Sequence, residues 1–163
     1  MEKGGNRMAT WQFAFSIIPE KVALRKNGNT QSNTKLSDFD DSMSWDGYCL
    51  SESSLGKISE MLKQTKSWSD NIRQFGYLDE TCIELFYEKN TVLDVSIRLD
   101  LRSLTSDILK MLIDFIKDNK ALILTPQGVL IRPVLEDVIT EIKKSDAYSF
   151  VKNPQEFLSS LNK

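Results

Sequence analysis

Residues 91–102, which read TVLDVSIRLDLR, constrain the fold more than any other part of the chain. Apolar side chains take every second position, at Leu93, Val95, Ile97, Leu99 and Leu101. Charged or hydroxyl side chains take the positions between them, at Asp94, Ser96, Arg98, Asp100 and Arg102. Because strand side chains point alternately to opposite faces, this alternation predicts a long strand with one buried face and one charged face. We therefore expect a sheet whose second face is open to solvent or to a partner.

The remaining patterns predict further strands and several helices around this long strand. The strands are expected at Thr10–Ile18, Cys82–Tyr87, Ala121–Thr125 and Val129–Arg132. The helices are expected at Ser53–Lys66, Thr105–Asn119, Leu135–Lys144 and Pro154–Leu161, whereas residues 68–78 fit no single pattern. Short turns between neighbouring strands favour antiparallel pairing. The prediction is an α+β fold: a mostly antiparallel sheet of about five strands, with helices packed on one face and the other face partly open.

The length of 163 residues favours a single domain. Residues 1–9 contain little that can be buried and are expected to form a flexible N-terminal tail, which leaves 10–163 as the domain. Within it, residues 26–52 form a long loop that is first polar, then acidic with interspersed aromatic residues. Loops of this length inside compact domains are uncommon and are often functional or disordered.

Composition argues against several classes of function. The net charge is −2, so the chain lacks the basic surplus that captures nucleic acid. No apolar run approaches the roughly 20 residues that cross a bilayer, and the N-terminus lacks the apolar run of a signal peptide. We expect a cytoplasmic protein that binds neither nucleic acid nor membranes. In a reducing compartment Cys49 and Cys82 are expected to be free, buried thiols, and a disulfide between them is the alternative.

The chain contains no histidine, which removes the commonest general base and the commonest metal ligand. The acidic stretch from Asp38 resembles a calcium loop, but Met43 and Cys49 stand where an EF-hand needs Gly and Glu. The sequence also lacks a phosphate-cradling glycine loop and a CxxC motif. We therefore expect no metal, no organic cofactor and no catalytic residue, and carboxylate or lysine chemistry stays open as an alternative.

Candidate partner-binding residues come from the charged row of the long strand and from the acidic, aromatic part of the long loop. They are Arg98, Asp100, Arg102, Trp45, Asp38, Asp40, Asp41 and Asp46. Arg and Trp are enriched in binding hot spots, and clustered carboxylates steer a basic partner. The alternative for the strand row is a solvated set of ion pairs, each contributing about 0–1 kcal/mol. For most of the aromatic residues ordinary core packing is the expectation, and a binding role is the alternative.

Three segments carry a resemblance to a known kind of protein. WQFAFSIIP (11–19), IRLDLR (97–102) and SDAYSFVKNP (145–154) resemble segments of small bacterial immunity proteins of polymorphic-toxin systems, and no functional residue is carried over. The resemblance implies a cytoplasmic, acidic, non-catalytic α+β protein that neutralises a toxin by binding it. Protein binding is therefore the expected function. The alternative is a small enzyme that uses carboxylate or lysine chemistry in a cleft between the long loop and the sheet.

Overall fold

The computed structural model describes residues 9–27, 34–35, 45 and 47–151, and within them the chain forms eight strands and five helices. The strands are β1 Gln12–Pro19, β2 Thr34–Lys35, β3 Gln64–Thr65, β4 Ile72–Gly76, β5 Cys82–Glu88, β6 Thr91–Asp100, β7 Ala121–Leu124 and β8 Val129–Ile131. The helices are α1 Glu20–Asn27, α2 Glu52–Ser59, α3 Ser106–Asp118, α4 Leu135–Lys143 and α5 Asp146–Phe150.

A single sheet contains all eight strands, in the order β2-β8-β7-β1-β6-β5-β4-β3. Every neighbouring pair is antiparallel, so the α+β class and the antiparallel pairing are confirmed. The sheet has more strands than the expected five or so. Strands β2 and β3 contain two residues each, too few for any alternation to be recognised, and β4 lies in the segment 68–78 that fits no single pattern.

Helices pack on both faces of the sheet, which corrects the expectation that they cover one face only. On the first face, called here the helical face, α2, α3 and α4 share one core with strand residues such as Phe15, Ile83 and Ile97. On the opposite face, called here the polar face, α1 packs through Val22 in a smaller apolar cluster with Leu122 of β7. The polar face owes its name to β4, β5 and β6, which carry most of its buried polar side chains.

The predicted alternation holds only in the second half of β6. Val95, Ile97 and Leu99 are fully buried on the helical face, as expected. A bulge in the ladder with β5 lies near the start of the strand, where Leu93 is half-buried and Val92 is buried instead. Because a bulge adds one unpaired residue, it changes which positions face the core on its far side. Val92 is therefore buried in the place where Leu93 was expected to be.

Most helix predictions are confirmed, with changes at their ends. Thr105 caps α3, since its side-chain oxygen accepts a hydrogen bond from the main-chain N–H of Ile108. Helix α2 is shorter than expected: it is capped by Ser51 and ends at Ser59, because the chain then forms β3 and pairs with β4. Helices α1 and α5 were not predicted. They are short, with eight and five residues, and their patterns are correspondingly weak.

Several expected features lie outside the described residues. These are nearly all of the tail 1–9, much of the loop 26–52, and the terminal helix Pro154–Leu161. The described part of the long loop comprises the last residues of α1, strand β2, Trp45 and residues 47–52. None of the helices in the described ranges is long and apolar enough to cross a membrane.

Candidate protein-binding surface

Two members of the expected charged row, Arg98 and Asp100, are buried on the polar face. Their exposed fractions are 6% and 2%. Ser96 is half-buried, and only Asp94 and Arg102, at the two ends of the row, are exposed. The expectation of an open, charged strand face is therefore corrected, because the middle of the row belongs to the interior.

The loop that joins β4 to β5, residues 77–81, covers this part of the polar face and is called here the covering loop. Its main-chain oxygens accept hydrogen bonds from side chains of the sheet. The Nε2 group of Gln12 donates to the carbonyl oxygens of Leu78 at 2.9 Å and of Glu80 at 2.6 Å. The Nη1 group of Arg98 also donates to Leu78, at 3.2 Å. Since buried carbonyls need partners, these bonds hold the loop on the sheet.

Gly76, the last residue of β4, precedes the covering loop in a conformation that favours glycine. Its φ is +83°, in the left-handed region where a Cβ is strained. A Cβ at this position would lie 2.2 Å from the main-chain oxygen of Thr81. The two ends of the covering loop thus approach each other so closely that a side chain at Gly76 would force the main chain to move.

A buried ion pair links β5 and β6 on the polar face. Arg98 Nη2 lies 3.6 Å from Glu84 Oε1, and the two side chains are 7% and 2% exposed. The indole Nε1 of Trp68 donates to Glu84 Oε2 at 3.0 Å. Burial raises the pKa of the Glu84 carboxyl, and the Trp68 bond and the charge of Arg98 oppose that rise only in part. Keeping Glu84 ionised therefore costs folding free energy, because its carboxylate is desolvated, as is usual for buried ion pairs.

Cys82 lies opposite Arg98 in the ladder between β5 and β6 and is fully buried. Burial, with a smaller effect from the charge of Glu84, raises the pKa of the Cys82 thiol to about 12. A thiol with such a pKa stays protonated at neutral pH and is a poor nucleophile. Both cysteines are free, as expected, but Cys49 is exposed, which corrects the expectation that both would be buried.

Arg102 is the basic residue of the row that reaches solvent, with 46% of its side chain exposed. The buried carboxylate of Asp100 accepts hydrogen bonds from Arg102 Nε at 3.0 Å and from Nη2 at 2.9 Å. The guanidinium carbon lies 3.9 Å from the ring centre of Trp11. The bond to Asp100 raises the pKa of Arg102, so its charge is fixed. A two-pronged ion pair and a stacked ring together hold the guanidinium in one orientation.

Trp11 and Arg102 also share an acceptor on the covering loop. Trp11 Nε1 donates to the main-chain oxygen of Asp79 at 2.9 Å, and Arg102 Nη2 donates to the same oxygen at 3.3 Å. Three side chains of the covering loop, Tyr77, Asp79 and Glu80, are exposed, Tyr77 by 54%. We call the surface formed by Trp11, Tyr77, Asp79, Glu80 and Arg102 the Arg102 patch. It combines two aromatic rings, one fixed guanidinium and two carboxylates.

Trp45, expected at the edge of the binding surface, is part of the core instead. It is 1% exposed, and its indole Nε1 donates to the main-chain oxygen of Ile17 at 2.8 Å. Its own main-chain N–H donates to Leu93 at 3.1 Å. A buried tryptophan with a satisfied N–H fills volume and is not available to a partner. The carboxylates expected beside it lie outside the described residues: Asp38, Asp40, Asp41 and Asp46.

Of the five patch residues, the sequence pattern predicted only Arg102 as a binding residue. Trp11 was assigned to a half-buried strand, and Tyr77 falls in a segment whose pattern is ambiguous. The one local signal is Gly76, which marks a tight turn before exposed polar residues. The patch itself depends on the pairing of Gln12 with Asp100, which brings residues far apart in the chain together.

Grooves on the described surface are small and open. Four of them have volumes of 440, 400, 320 and 200 Å³, and the Glu84–Arg98 pair lines none of these four. Within the described ranges, no group of three or more His, Cys, Asp or Glu side chains is placed to hold a metal ion. The cleft expected for the alternative enzyme would border the loop 26–52, much of which is not described.

Comparison with known proteins yields no family for this chain. No protein-family model, no curated protein and no solved structure matches it. On the described surface, the Arg102 patch combines an ion pair, a stacked ring and hydrogen bonds to the covering loop. The patch presents a half-exposed arginine that is paired with a buried carboxylate and stacked on one aromatic ring.

Proposed function

We propose that this chain is a non-catalytic protein-binding protein and that the Arg102 patch is its binding surface. The observation that carries the proposal is the fixed state of Arg102, which is paired with buried Asp100 and stacked on Trp11 while nearly half of it is exposed. Trp, Tyr and Arg are the residues most enriched in binding hot spots. The Arg102 patch presents one of each.

Rigidity supports the proposal on energetic grounds. Ordering a flexible side chain at an interface costs about 0.5–1.5 kcal/mol. Bonds to Asp100 and to the covering loop already order Arg102 in the unbound protein, and Trp11 is held by its bond to Asp79. The ordering cost on binding is correspondingly reduced, which favours a surface adapted to a partner over a solvated ion pair.

The polar groups of the patch indicate the chemistry of the partner. Arg102 Nη1 has no hydrogen bond to the described residues and is available to a carbonyl or carboxylate of the partner. The exposed carboxylates of Asp79 and Glu80 lie beside it and favour a partner with cationic groups at matching positions. The complementary surface thus offers an acceptor at its centre and basic side chains at its rim.

In its specific form, the proposal is that the partner is a toxin domain and that binding in the cytoplasm blocks the toxin's activity. The support is the resemblance of residues 11–19, 97–102 and 145–154 to immunity proteins. Two of those segments contain Trp11 and Arg102, which the patch brings together. An equimolar amount of this protein should then abolish the toxic activity of the purified partner, and an unchanged activity would leave protein binding without neutralisation.

Affinity capture from an extract of the source organism tests the general form. The immobilised baits are the wild type, Tyr77→Ala and Arg102→Lys, which keeps a cation beside buried Asp100. Phe150→Ala is the matched control, since Phe150 is an exposed aromatic residue on α5 outside the patch. Each captured protein is quantified by mass spectrometry and then titrated against every bait by calorimetry.

We expect a partner whose affinity falls about tenfold or more with Tyr77→Ala and with Arg102→Lys, as loss of a hot-spot contact requires. Phe150→Ala should retain wild-type affinity. Thermal melts of Tyr77→Ala and Phe150→Ala should overlap with that of the wild type, because both side chains are exposed. Arg102→Lys loses the two-pronged pair with Asp100, so its melt is used to show that the variant is folded at the temperature of the titration. A partner bound equally well by every bait would place the binding surface elsewhere.

A further inference from the structure

A groove of about 320 Å³ lies between α2 and α3, on the helical side of the molecule and apart from the Arg102 patch. Buried Ile58 and Phe115 contribute apolar surface to it. Two methionines border it: Met61 is 44% exposed and Met111 is half-buried. The lining therefore includes four large apolar side chains, and one of them, Met61, is nearly half exposed.

Methionine gives such a groove an adaptable surface. Its side chain is unbranched and polarisable, so it adjusts to partners of different shape, and methionines are frequent at surfaces that receive amphipathic helices. Met61 follows the last turn of α2, and 44% of it is exposed. The volume of the groove is near the lower end of the range for sites that enclose a ligand.

The rim of the groove is acidic. Glu60, Asp114 and Asp118 supply three carboxylates against the single ammonium group of Lys57. Lys57 lies 4.0 Å from Asp118, and both side chains are well exposed, so this contact neutralises one carboxylate only weakly. Glu60 and Asp114 have no salt bridge within the described part of the chain, and the rim is left with an excess of negative charge.

We propose that this groove is a second docking site, for a basic amphipathic helix that inserts one apolar side chain between Met61 and Met111. Charge complementarity with Glu60, Asp114 and Asp118 identifies the occupant, because lysine or arginine residues flanking the apolar anchor would meet the acidic rim. The proposal concerns a surface other than the Arg102 patch and does not depend on the proposed function.

Fluorescence anisotropy with synthetic peptides tests the proposal on the full chain. The probe is a labelled helical peptide of about 15 residues, with leucines along one face and lysines elsewhere, since shorter isolated helices are marginal in water. One control peptide replaces the lysines with glutamates, and another replaces the leucines with serines. The protein variants are Met61→Ser and Asp114→Lys. Glu88→Lys is the matched control, because it makes the same charge change at the exposed end of β5.

We expect saturable binding of the basic peptide and none of either control peptide. Asp114→Lys and Met61→Ser should each weaken binding about fivefold or more, whereas Glu88→Lys should change it less than about twofold. Added salt should weaken the wild-type interaction. The proposal is overturned by failure of the basic peptide to bind, by equal binding of the glutamate peptide, or by equal losses in Asp114→Lys and Glu88→Lys.

Discussion

At the scale of single residues, Arg98 and Arg102 show how the covering loop separates two roles. They are four positions apart in one alternating row, so the alternation predicts the same exposure for both. Arg98 is enclosed under the covering loop beside Glu84, whereas Arg102 follows the end of β6 and reaches solvent. The loop's position, and not the residue type, makes one arginine structural and leaves the other available to a partner.

The buried carboxyl of Glu84 should give the protein a measurable pH dependence. Burial raises its pKa above the ordinary 4.5, so between the two pKa values the folded state binds more protons than the unfolded state. The contribution of Glu84 to stability is therefore lost as pH rises through the folded pKa. Glu84→Gln removes this titration and keeps an oxygen that can accept from Trp68. Urea melts should show the free energy of unfolding of the wild type falling relative to Glu84→Gln as pH rises from about 4 to about 7. If the free energy of unfolding of the wild type instead rose with pH relative to that of Glu84→Gln, the result would contradict the direction of the pKa change.

The two cysteines should differ sharply in reactivity. Cys49 is exposed, whereas Cys82 is buried and its thiol has a pKa of about 12. Iodoacetamide at mildly alkaline pH should label Cys49 in the native protein and Cys82 only after unfolding, as read by mass spectrometry of the digested chain. The variant Cys49→Ser serves as the control and should take up no label when folded. Native labelling of Cys82 in that variant would mean that the polar face opens readily.

At the scale of elements, a glycine at the end of β4 and a glycine in α2 have opposite conformational requirements. Gly76 has a positive φ, and an added Cβ would meet the main chain of Thr81, whereas a Cβ at Gly56 in α2 would have open space around it. A glycine inside a helix lowers its stability because the unfolded chain is more flexible there. The same substitution should therefore act in opposite directions at the two sites.

Alanine at each glycine tests this contrast. Gly76→Ala should lower the free energy of unfolding by more than about 1 kcal/mol, because the native conformation is incompatible with a side chain. Gly56→Ala should raise it by about 0.5–1 kcal/mol. Urea denaturation of both variants beside the wild type gives the two values. Two changes of the same sign would show that the turn at Gly76 does not constrain the covering loop as described.

Strand β6 supports the core through its helical face, and Ile97 is its central buried residue. Ile97 is fully buried and pairs with Phe15 on β1 and with Ile83 on β5. Ile97→Ala should cost about 2–5 kcal/mol, since the two neighbouring strands leave the cavity little room to collapse. Ser96→Ala, one position away and half-buried, should stay within about 0.5 kcal/mol in the same urea melts. A small loss at Ile97 would contradict its place in the core.

At the scale of the whole molecule, the spacing of apolar residues in the sequence predicted the strands and helices that depend on local pattern. Strand β6, its apolar face and the capped helix α3 follow from the spacing of residues such as Ile97 and from Thr105 at the cap. The burial of Arg98 and Asp100 did not follow, because it depends on a covering loop contributed by a distant segment. The sequence left Trp45 open between core packing and partner contact, because its partner Ile17 lies on another element, and the structure places it in the core. Contacts between distant segments decide the site, and alternation within one strand does not encode them.

The central claim, that the Arg102 patch contacts a partner protein, is tested most directly by hydrogen exchange. The protein is measured alone and in complex with the partner identified by affinity capture. We expect slower exchange in the complex for peptides that contain residues 77–80 and 102–103, where the exposed part of the patch lies. Peptides from the buried centre of β6, Val95–Leu99, should be unchanged. Protection confined to α2 and α3, with residues 77–80 and 102–103 unaffected, would contradict the account.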